Sequence, residues 1–562
     1  MSDGSDTSKI AEARENALRF LDTRRRPGSW VGELSSSALC TAMSSLALYL
    51  HPETAPRSEW DSGLRWLAKT QHDDGGWGDA VVDPSNMNAT SMASAALHYC
   101  SAQQYGEEIR AGRRWVEKAG GLAVLNDPRA TSMSGPGRTL YALAGFYDWD
   151  RIRKLPTEVI LLPGRVRRTL SITFSSILSL SVLHDHFAPV SRWRRPVRRR
   201  AVREAVGWLR HAQAVNGSFG GSPMLASITV TCLTLADAGG EDIVERAVAF
   251  LRDNQRSDGS WPMARHLENF DTTQAVYTYH EAGRPVPGGE KVRDGFFERQ
   301  WRKPCFHTSS PPGGWAWEHP SGWPDVDDTA CTLRALRILG ASPEEEPLRH
   351  GLRWLYGMQN RDGSWPTFVR DSRVPFDRGC PYITSQVLTA LTAMGPGEIE
   401  CEAAQRALAY LRGIQNRDGG FHSLWFRSYT RGTAAVVEAF SDAGLPEDPT
   451  VSRAEGWLRA HQNPDGGWGD GQGAATTAEE TSWATAALLR SRSPLNREAV
   501  ERGVGWLLRH QRDDGGWDPG MVGVYFSSVI YSNVFYAVSY PLIALSRYLQ
   551  KKDHPKEREP LS

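Results

Sequence analysis

Apolar residues along most of the chain fall three or four positions apart with polar residues between them, as in GLRWLAKTQ and GVGWLLRHQ. That is the pattern of a helix with one buried face. Each such stretch runs into a Gln and a polar turn, Asp-Gly-Gly or Asp-Gly-Ser, and a second helical stretch such as TSWATAALLRS follows. Glycine in the turn supplies the positive φ that stops one helix, and its polar neighbours start the next. Strict alternation of the strand type is nearly absent, so the sequence predicts an all-α fold built of helix-turn-helix units.

One phrase recurs through these units: an aromatic, Gln five residues on, the polar turn, and a second aromatic six residues after the Gln. Its copies are Trp66-Gln71-Trp77, Trp208-Gln213-Phe219, Phe250-Gln255-Trp261, Trp354-Gln359-Trp365, Tyr410-Gln415-Phe421, Trp457-Gln462-Trp468 and Trp506-Gln511-Trp517. Phe20 to Trp30 reads as a degenerate eighth, with Arg25 in place of Gln. Repeated hairpins stack as an open solenoid or close into a ring, and periodicity does not separate the two. A Gln amide can satisfy backbone groups at a helix end while lying against the ring, which makes the phrase a brace. Stacking of the same tryptophans on a sugar is the competing reading.

The phrase resembles the QW motif of squalene-hopene and oxidosqualene cyclases, and the resemblance extends from about Ala17 to Tyr548. It implies two α/α barrels of the βγ type around a central apolar cavity. The expected divisions are a polar segment at 1–17, a first barrel at 18–268, a second at 269–548 and a charged tail at 549–562.

The segment PPGGWAWEHPSGWPDVDDTACTLRA, Pro311 to Ala335, resembles the acid motif of the same family. Protonating an unactivated alkene requires a carboxylic acid that keeps its proton, and clustered carboxylates in an apolar site resist ionising together. The resemblance makes Asp327 the donor, with Asp325 and Asp328 arranging its hydrogen bonds. An opposing effect is present, because the run precedes a helix whose amino-terminal dipole favours ionised carboxylates. Read without context it is an acidic helix cap. Trp315, Trp317 and Trp323 crowd the motif, and ring faces stabilise a carbocation without quenching it. Phe270, Trp425 and Tyr429 align with further cavity positions of the family, each with an ordinary core role as the alternative.

Two departures from the family stand out. The His that supports the acid in hopene cyclases is Gln386 here, in Thr384-Ser385-Gln386-Val387-Leu388, and a Tyr associated with return of the proton is Arg431. The segment by which hopene cyclases enter the membrane is largely missing between Pro189 and Ala201, where VSRWRRPVRRR stands instead. That run reads as a solvated face, a contact for lipid headgroups or a guide for a diphosphate. TTAEETSWA and Trp425-Phe-Arg427-Ser look like cyclases that keep a prenyl diphosphate intact. The substrate is therefore a linear isoprenoid, squalene-like in the main reading and a C15 to C25 prenyl diphosphate in the alternative. A non-catalytic barrel that only binds a partner is the third reading.

Composition narrows the partners. Lys+Arg and Asp+Glu each number 65, so no net field draws nucleic acid. The seven cysteines show no CxxC pair, which suits reduced thiols and a cytoplasmic setting, with peripheral contact at the inner face of the membrane left open. The amino terminus lacks a signal-peptide pattern. No run reaches the ~18 apolar residues of a membrane span, Thr169 to Leu183 being diluted by Ser and Thr. His184-Asp185-His186 has the wrong helical spacing for two ligands of one zinc, Asp328 and Cys331 are three apart where a prenyltransferase zinc site needs Asp-x-Cys, and neither a thioester phrase nor a complete DDxxD motif occurs. No metal or organic cofactor is expected, Mg2+ entering only with a diphosphate substrate. Oligomeric state is not legible.

Overall fold

The computed structural model describes residues 3–127, 133–152, 155–164, 173–188, 191–427, 429–491, 493–526 and 529–553. Its helices are of two kinds. Helices such as Gly106–Lys118 and Glu346–Met358 bury one stripe, Ile109, Gly112 and Val116 in the first and Leu348, Gly351, Trp354, Leu355 and Met358 in the second. Others, such as Ala38–Tyr49 and Ala478–Arg490, are rich in Ala, Ser and Thr and buried on nearly every side. A helix buried all round needs neighbours all round, so the second kind forms inner rings and the first kind an outer layer.

Two rings close. In the first, Ala38–Tyr49, Met87–Ser101, Ser134–Leu143, Phe174–Phe187 and Pro223–Leu235 pack in order, and the last returns to the first. In the second, Glu268–Glu281, Val326–Ile338, Pro381–Met394, Thr430–Asp442, Ala478–Arg490 and Tyr536–Asp553 do the same. The fold is all-α, with two α/α barrels and separate cores.

The recurring Gln stitches the outer layer. Its Nε2 donates to the carbonyl four residues on and to a carbonyl at the start of the next outer helix: Gln71 to Gly75 (2.8 Å) and Glu108 (2.9 Å), Gln462 to Gly466 and Ala499 (both 2.8 Å). Gln255 reaches back to the Glu59 carbonyl (2.7 Å) and so closes the first ring. Gln511 reaches the Ala13 carbonyl (2.9 Å) and closes the second. The tryptophan indole donates to a carbonyl ten residues earlier, as Trp77 to Leu67 (2.8 Å) and Trp365 to Leu355 (2.7 Å), while its backbone N–H donates to a Thr hydroxyl of the inner helix. These rings are fully buried, and no sugar could stack on them.

Two expectations are corrected. The eighth stitch is Gln300, donating to Gly313 and Pro347 (both 2.8 Å), with Trp315 as its aromatic. A longer loop between Gln300 and Trp315 hides it from a fixed-spacing search. Phe20 to Trp30 keeps only the aromatic half, the Trp30 N–H donating to Thr272 Oγ1 at 3.0 Å. Nor does the segment before residue 35 belong to the first barrel. Ile10 to Leu34 pack in the second core, and helix Asp3–Thr23 lies against Tyr536–Asp553 as an outer helix of the second ring.

A short hairpin, Gly523–Tyr525 with Val529–Tyr531, joins the barrels. The Ile530 N–H donates to Asp79 of the first barrel (2.9 Å), and the Val524 N–H to the Trp425 carbonyl of the second (2.9 Å). Trp425 and Tyr525 touch both cores. Among the described residues no helix is long and apolar enough to cross a membrane; residues 169–172 of the Thr169 to Leu183 run lie outside them.

Candidate active site

The acidic run opens an inner helix of the second barrel, Val326–Ile338. Asp325 is its cap, accepting the Asp328 N–H at 2.8 Å, so part of the run is the helix start that its composition suggests. Asp328 also accepts a bond from Asn269 Nδ2 (3.2 Å), which bonds Thr332 Oγ1 as well (3.0 Å). Thr329 serves the fold by accepting the Trp315 N–H at 2.9 Å. Asp327 differs from its neighbours. It is half-buried, while Cys331, Tyr382 and Arg431 around it are buried.

Burial is the largest influence on the Asp327 carboxyl. It pushes Asp327 up to about 6, against the Tyr382 hydroxyl, the Arg431 guanidinium and the Cys331 thiol, each of which favours the ionised form. Asp325 and Asp328 are held above the ordinary carboxylate range by burial and then by neighbouring negative charge. One Asp325 oxygen is buried without a partner, as suits a protonated carboxyl in a pair sharing negative charge.

Arg431 is buried in an aromatic cage. Its guanidinium lies 5.0 Å from the ring centre of Tyr382, 5.2 Å from Trp483, 5.3 Å from Tyr540 and 5.9 Å from Phe426. Glu438 sits 3.6 Å away, the first of a series of buried and half-buried ion pairs: Arg547 joins Glu438 to Glu281 (2.8 Å to the latter), and Arg490 joins Glu281 to Asp442 (3.4 Å each). A cavity of ≈ 40 Å³ in the barrel bore is lined by Tyr277, Gln386, Arg431, Glu438, Tyr540 and Arg547 among others, room for about three waters.

The structure gathers some of the expected aromatics and disperses others. Trp317 meets Trp323 and Phe368 edge to face (5.7 and 5.9 Å), and Phe368 meets Trp425 (5.8 Å), forming a wall where the two cores adjoin. The Trp425 indole donates to Thr367 Oγ1 (2.6 Å), and the Thr367 carbonyl accepts the Val326 N–H (3.0 Å), which ties this wall to the start of the acid helix. Phe270 is buried against Tyr536 (5.7 Å). Trp315 is fully buried, its indole donating to the Phe296 carbonyl (2.7 Å), and braces the outer layer instead of lining open space. Tyr429 turns outward onto Trp457 and His422 (6.2 and 5.6 Å). Gln386 does not touch Asp327; its amide donates to Cys331 Sγ at 3.2 Å.

The description "Squalene-hopene cyclase C-terminal domain" matches residues 269–550, "Squalene-hopene cyclase N-terminal domain" residues 11–186, and "Prenyltransferase alpha-alpha toroid domain" residues 152–279. The chain belongs to the squalene-hopene cyclase family. It is thus a class II terpene cyclase, an enzyme of the cyclase and isomerase type, and the reading as a non-catalytic barrel falls away. The squalene-hopene cyclase of Alicyclobacillus acidocaldarius is 26% identical over 96% of this chain and 98% of its own length. A terpene cyclase-glycosyl transferase fusion protein of Humicola fuscoatra is 26% identical over 97% of this chain, which spans 50% of the fusion. The ent-copalyl diphosphate synthase of Streptomyces platensis shares the fold, with a TM-score of 0.65 at 21% identity over 96% of this chain and 99% of that one.

Asn269, Cys331, Tyr382 and Tyr540 surround the acids of this cyclase without a sequence motif to mark them. Helical spacing gives a signal for one, since Cys331 lies one turn beyond Asp327 on the same face. Among the described residues no group of three or more His, Cys, Asp or Glu is placed to hold a metal. His184 bonds Thr139 (2.8 Å) and Asp185 pairs with Arg198 (2.9 Å).

Proposed function

We propose that Asp327 protonates a linear, uncharged isoprenoid of the squalene type and that the enzyme closes it into rings along the Trp317, Phe368 and Trp425 wall. The observation that carries this is a carboxyl pushed up to about 6 by burial among Tyr382, Arg431 and Cys331, on a helix whose first residue is tied through Thr367 to the aromatic wall. Once the proton has left, the caged Arg431 charge stabilises the carboxylate. Proton loss or capture of water ends the sequence, and no cofactor takes part. The side chains at the seam between the barrels favour an uncharged substrate. Asp79, Glu479 and Glu480 are buried there, and Arg427 lies within 3.9 Å of Asp470. A diphosphate at this seam would meet carboxyl groups and need a divalent cation such as Mg2+ to accompany it.

Incubation of the enzyme with squalene and with farnesyl, geranylgeranyl and geranylfarnesyl diphosphates, followed by mass spectrometry after phosphatase treatment, tests the reading. Cyclic product from squalene supports it, and product only from a diphosphate overturns the substrate class. The pH dependence tests the acid separately. The protonated form of Asp327 is the active one, so kcat/KM is level below pH about 6 and falls about tenfold per unit above it. A rate that rises through this range sinks the assignment.

We also propose a peripheral contact with anionic membranes. Leu161, Leu162, Phe187, Trp193 and Val197 are exposed, Trp193 to 79%, and Arg192, Arg194, Arg195, Arg199 and Arg200 stand exposed beside them. Arg198 draws these segments together by pairing with Glu158 and Asp185 (both 2.9 Å). Val190, which opens the arginine run, and Pro189 before it lie outside the described residues. Phosphatidylglycerol vesicles should sediment the enzyme at low salt, phosphatidylcholine vesicles should not, and R199E/R200E should abolish the binding. Equal behaviour with both lipids removes the proposal.

A further inference from the structure

The acid lacks a direct partner where the family carries His, and the contacts show what stands between. Cys331 follows Asp327 by one helical turn and is buried. Its Sγ lies 3.7 Å from Asp327 Oδ1, within reach of a thiol donor. On its other side the Gln386 amide donates to the sulfur at 3.2 Å. The Tyr277 hydroxyl donates to the Cys331 carbonyl, fixing the backbone that carries the thiol.

We propose that Cys331 is a positioning residue for the acid, its thiol donating to the Asp327 carboxyl and held in that direction by Gln386. The proposal rests on reading Asp327 as the proton donor. Because Gln386 occupies the sulfur as donor, the S–H is directed to an acceptor; Asp327 Oδ1 lies within reach, and the Tyr277 hydroxyl, which also stands by the thiol, spends its proton on the Cys331 carbonyl. Burial and the adjacent carboxylates push the thiol well above its ordinary range, so it keeps the proton it donates. The bond gains strength when Asp327 becomes a carboxylate, because a hydrogen bond to a charged acceptor is stronger than one to a neutral acceptor. Gln386 thus acts on the acid through an intervening sulfur, a role that an uncharged amide can fill where it could not itself supply a proton.

The test uses the full-length enzyme and the substrate it turns over. Cys331→Ala should lower kcat about 3- to 10-fold with KM unchanged and move the alkaline limb of the rate profile upward, because the carboxylate loses a donor. Cys331→Ser should restore part of the rate and return the limb. Gln386→Leu should lower kcat in the wild-type background and change nothing in Cys331→Ala, the signature of a series connection. In the infrared, the S–H stretch removed by Cys331→Ala should lie at lower frequency in wild type than in Asp327→Asn. An unmoved alkaline limb, or a Gln386→Leu effect of equal size in both backgrounds, overturns the relay. Activity retained by Asp327→Asn overturns the acid assignment itself, so the two failures are told apart in one set of assays.

Discussion

Asp327→Asn abolishes cyclisation, by about 10³-fold or more, and leaves the protein folded. An amide of nearly the same shape fills the site, but it has no carboxylic proton to give. Asp325 and Asp328 do not substitute for it, since Asp325 is engaged as a helix cap and Asp328 bonds Asn269. The pH dependence of stability separates chemical loss from unfolding. A carboxyl raised to about 6 contributes most to stability below the ordinary carboxylate pKa, and that contribution is lost as pH rises through about 6. Asn carries no such penalty. The variant should therefore melt no lower than wild type at pH 8 while forming no cyclic product, measured by calorimetry and mass spectrometry on one preparation. Product at the wild-type rate would move the acid elsewhere, and a collapsed melting curve would make the loss structural.

Arg547→Met has the largest expected effect on stability. The guanidinium joins buried Glu281 to half-buried Glu438, and removing it leaves Glu281 with Arg490 (3.4 Å) and Glu438 with Arg431 (3.6 Å) at longer distances. Leaving a buried charge alone costs about 3 to 5 kcal/mol, and the remaining arginines put the expected loss at the lower end of that range. Burial alone would raise the Glu281 pKa, but the Arg547 and Arg490 charges outweigh it and hold the carboxyl well below its ordinary range. That stabilisation is present above the unfolded-state pKa and is lost as pH falls through the folded-state value. The gap between variant and wild type should consequently be wide at neutral pH and narrow only below the ordinary glutamate pKa of about 4.3, as read from melts at about pH 7 and about pH 3. A double change, Arg547→Met with Glu281→Leu, removes the charge together with the more buried of its two partners and should recover part of the loss.

Much of this was legible in the chain because it is periodic. The three-to-four spacing and the aromatic-Gln-turn phrase locate the helical hairpins, and their regularity follows from one geometry used again: Gln to the next outer helix, indole to the preceding one, Thr to the backbone between. What escaped was whatever broke the spacing. Gln300 makes the same two bonds as Gln71, yet its aromatic arrives after a longer loop. Trp315 looked like part of the aromatic approach because it stands near Trp317, but Trp315 is held in a bridge to Asp325 while the chain bends at Trp317, and only Trp317 joins the wall. Tyr429 went outward for a similar reason, capping a helix whose inward face belongs to Arg431. Departures from the family at Gln386 and Arg431 were visible as letters. Their meaning required coordinates, because one works through a sulfur from a neighbouring helix and the other through a cage drawn from Tyr382, Phe426, Trp483 and Tyr540.

The bond from Gln511 to the Ala13 carbonyl carries a consequence for assembly. It makes the first barrel an insertion, placed between the first outer helix of the second barrel and all its inner ones. During synthesis the helix Asp3–Thr23 emerges well before Tyr536–Asp553, the helix it packs against. The inserted barrel closes on itself through Gln255 and Glu59 and can mature meanwhile. Contacts so distant in sequence form late and at high entropic cost, so the second barrel should mature after the inserted one, with the apolar stripe of helix Asp3–Thr23 exposed until then.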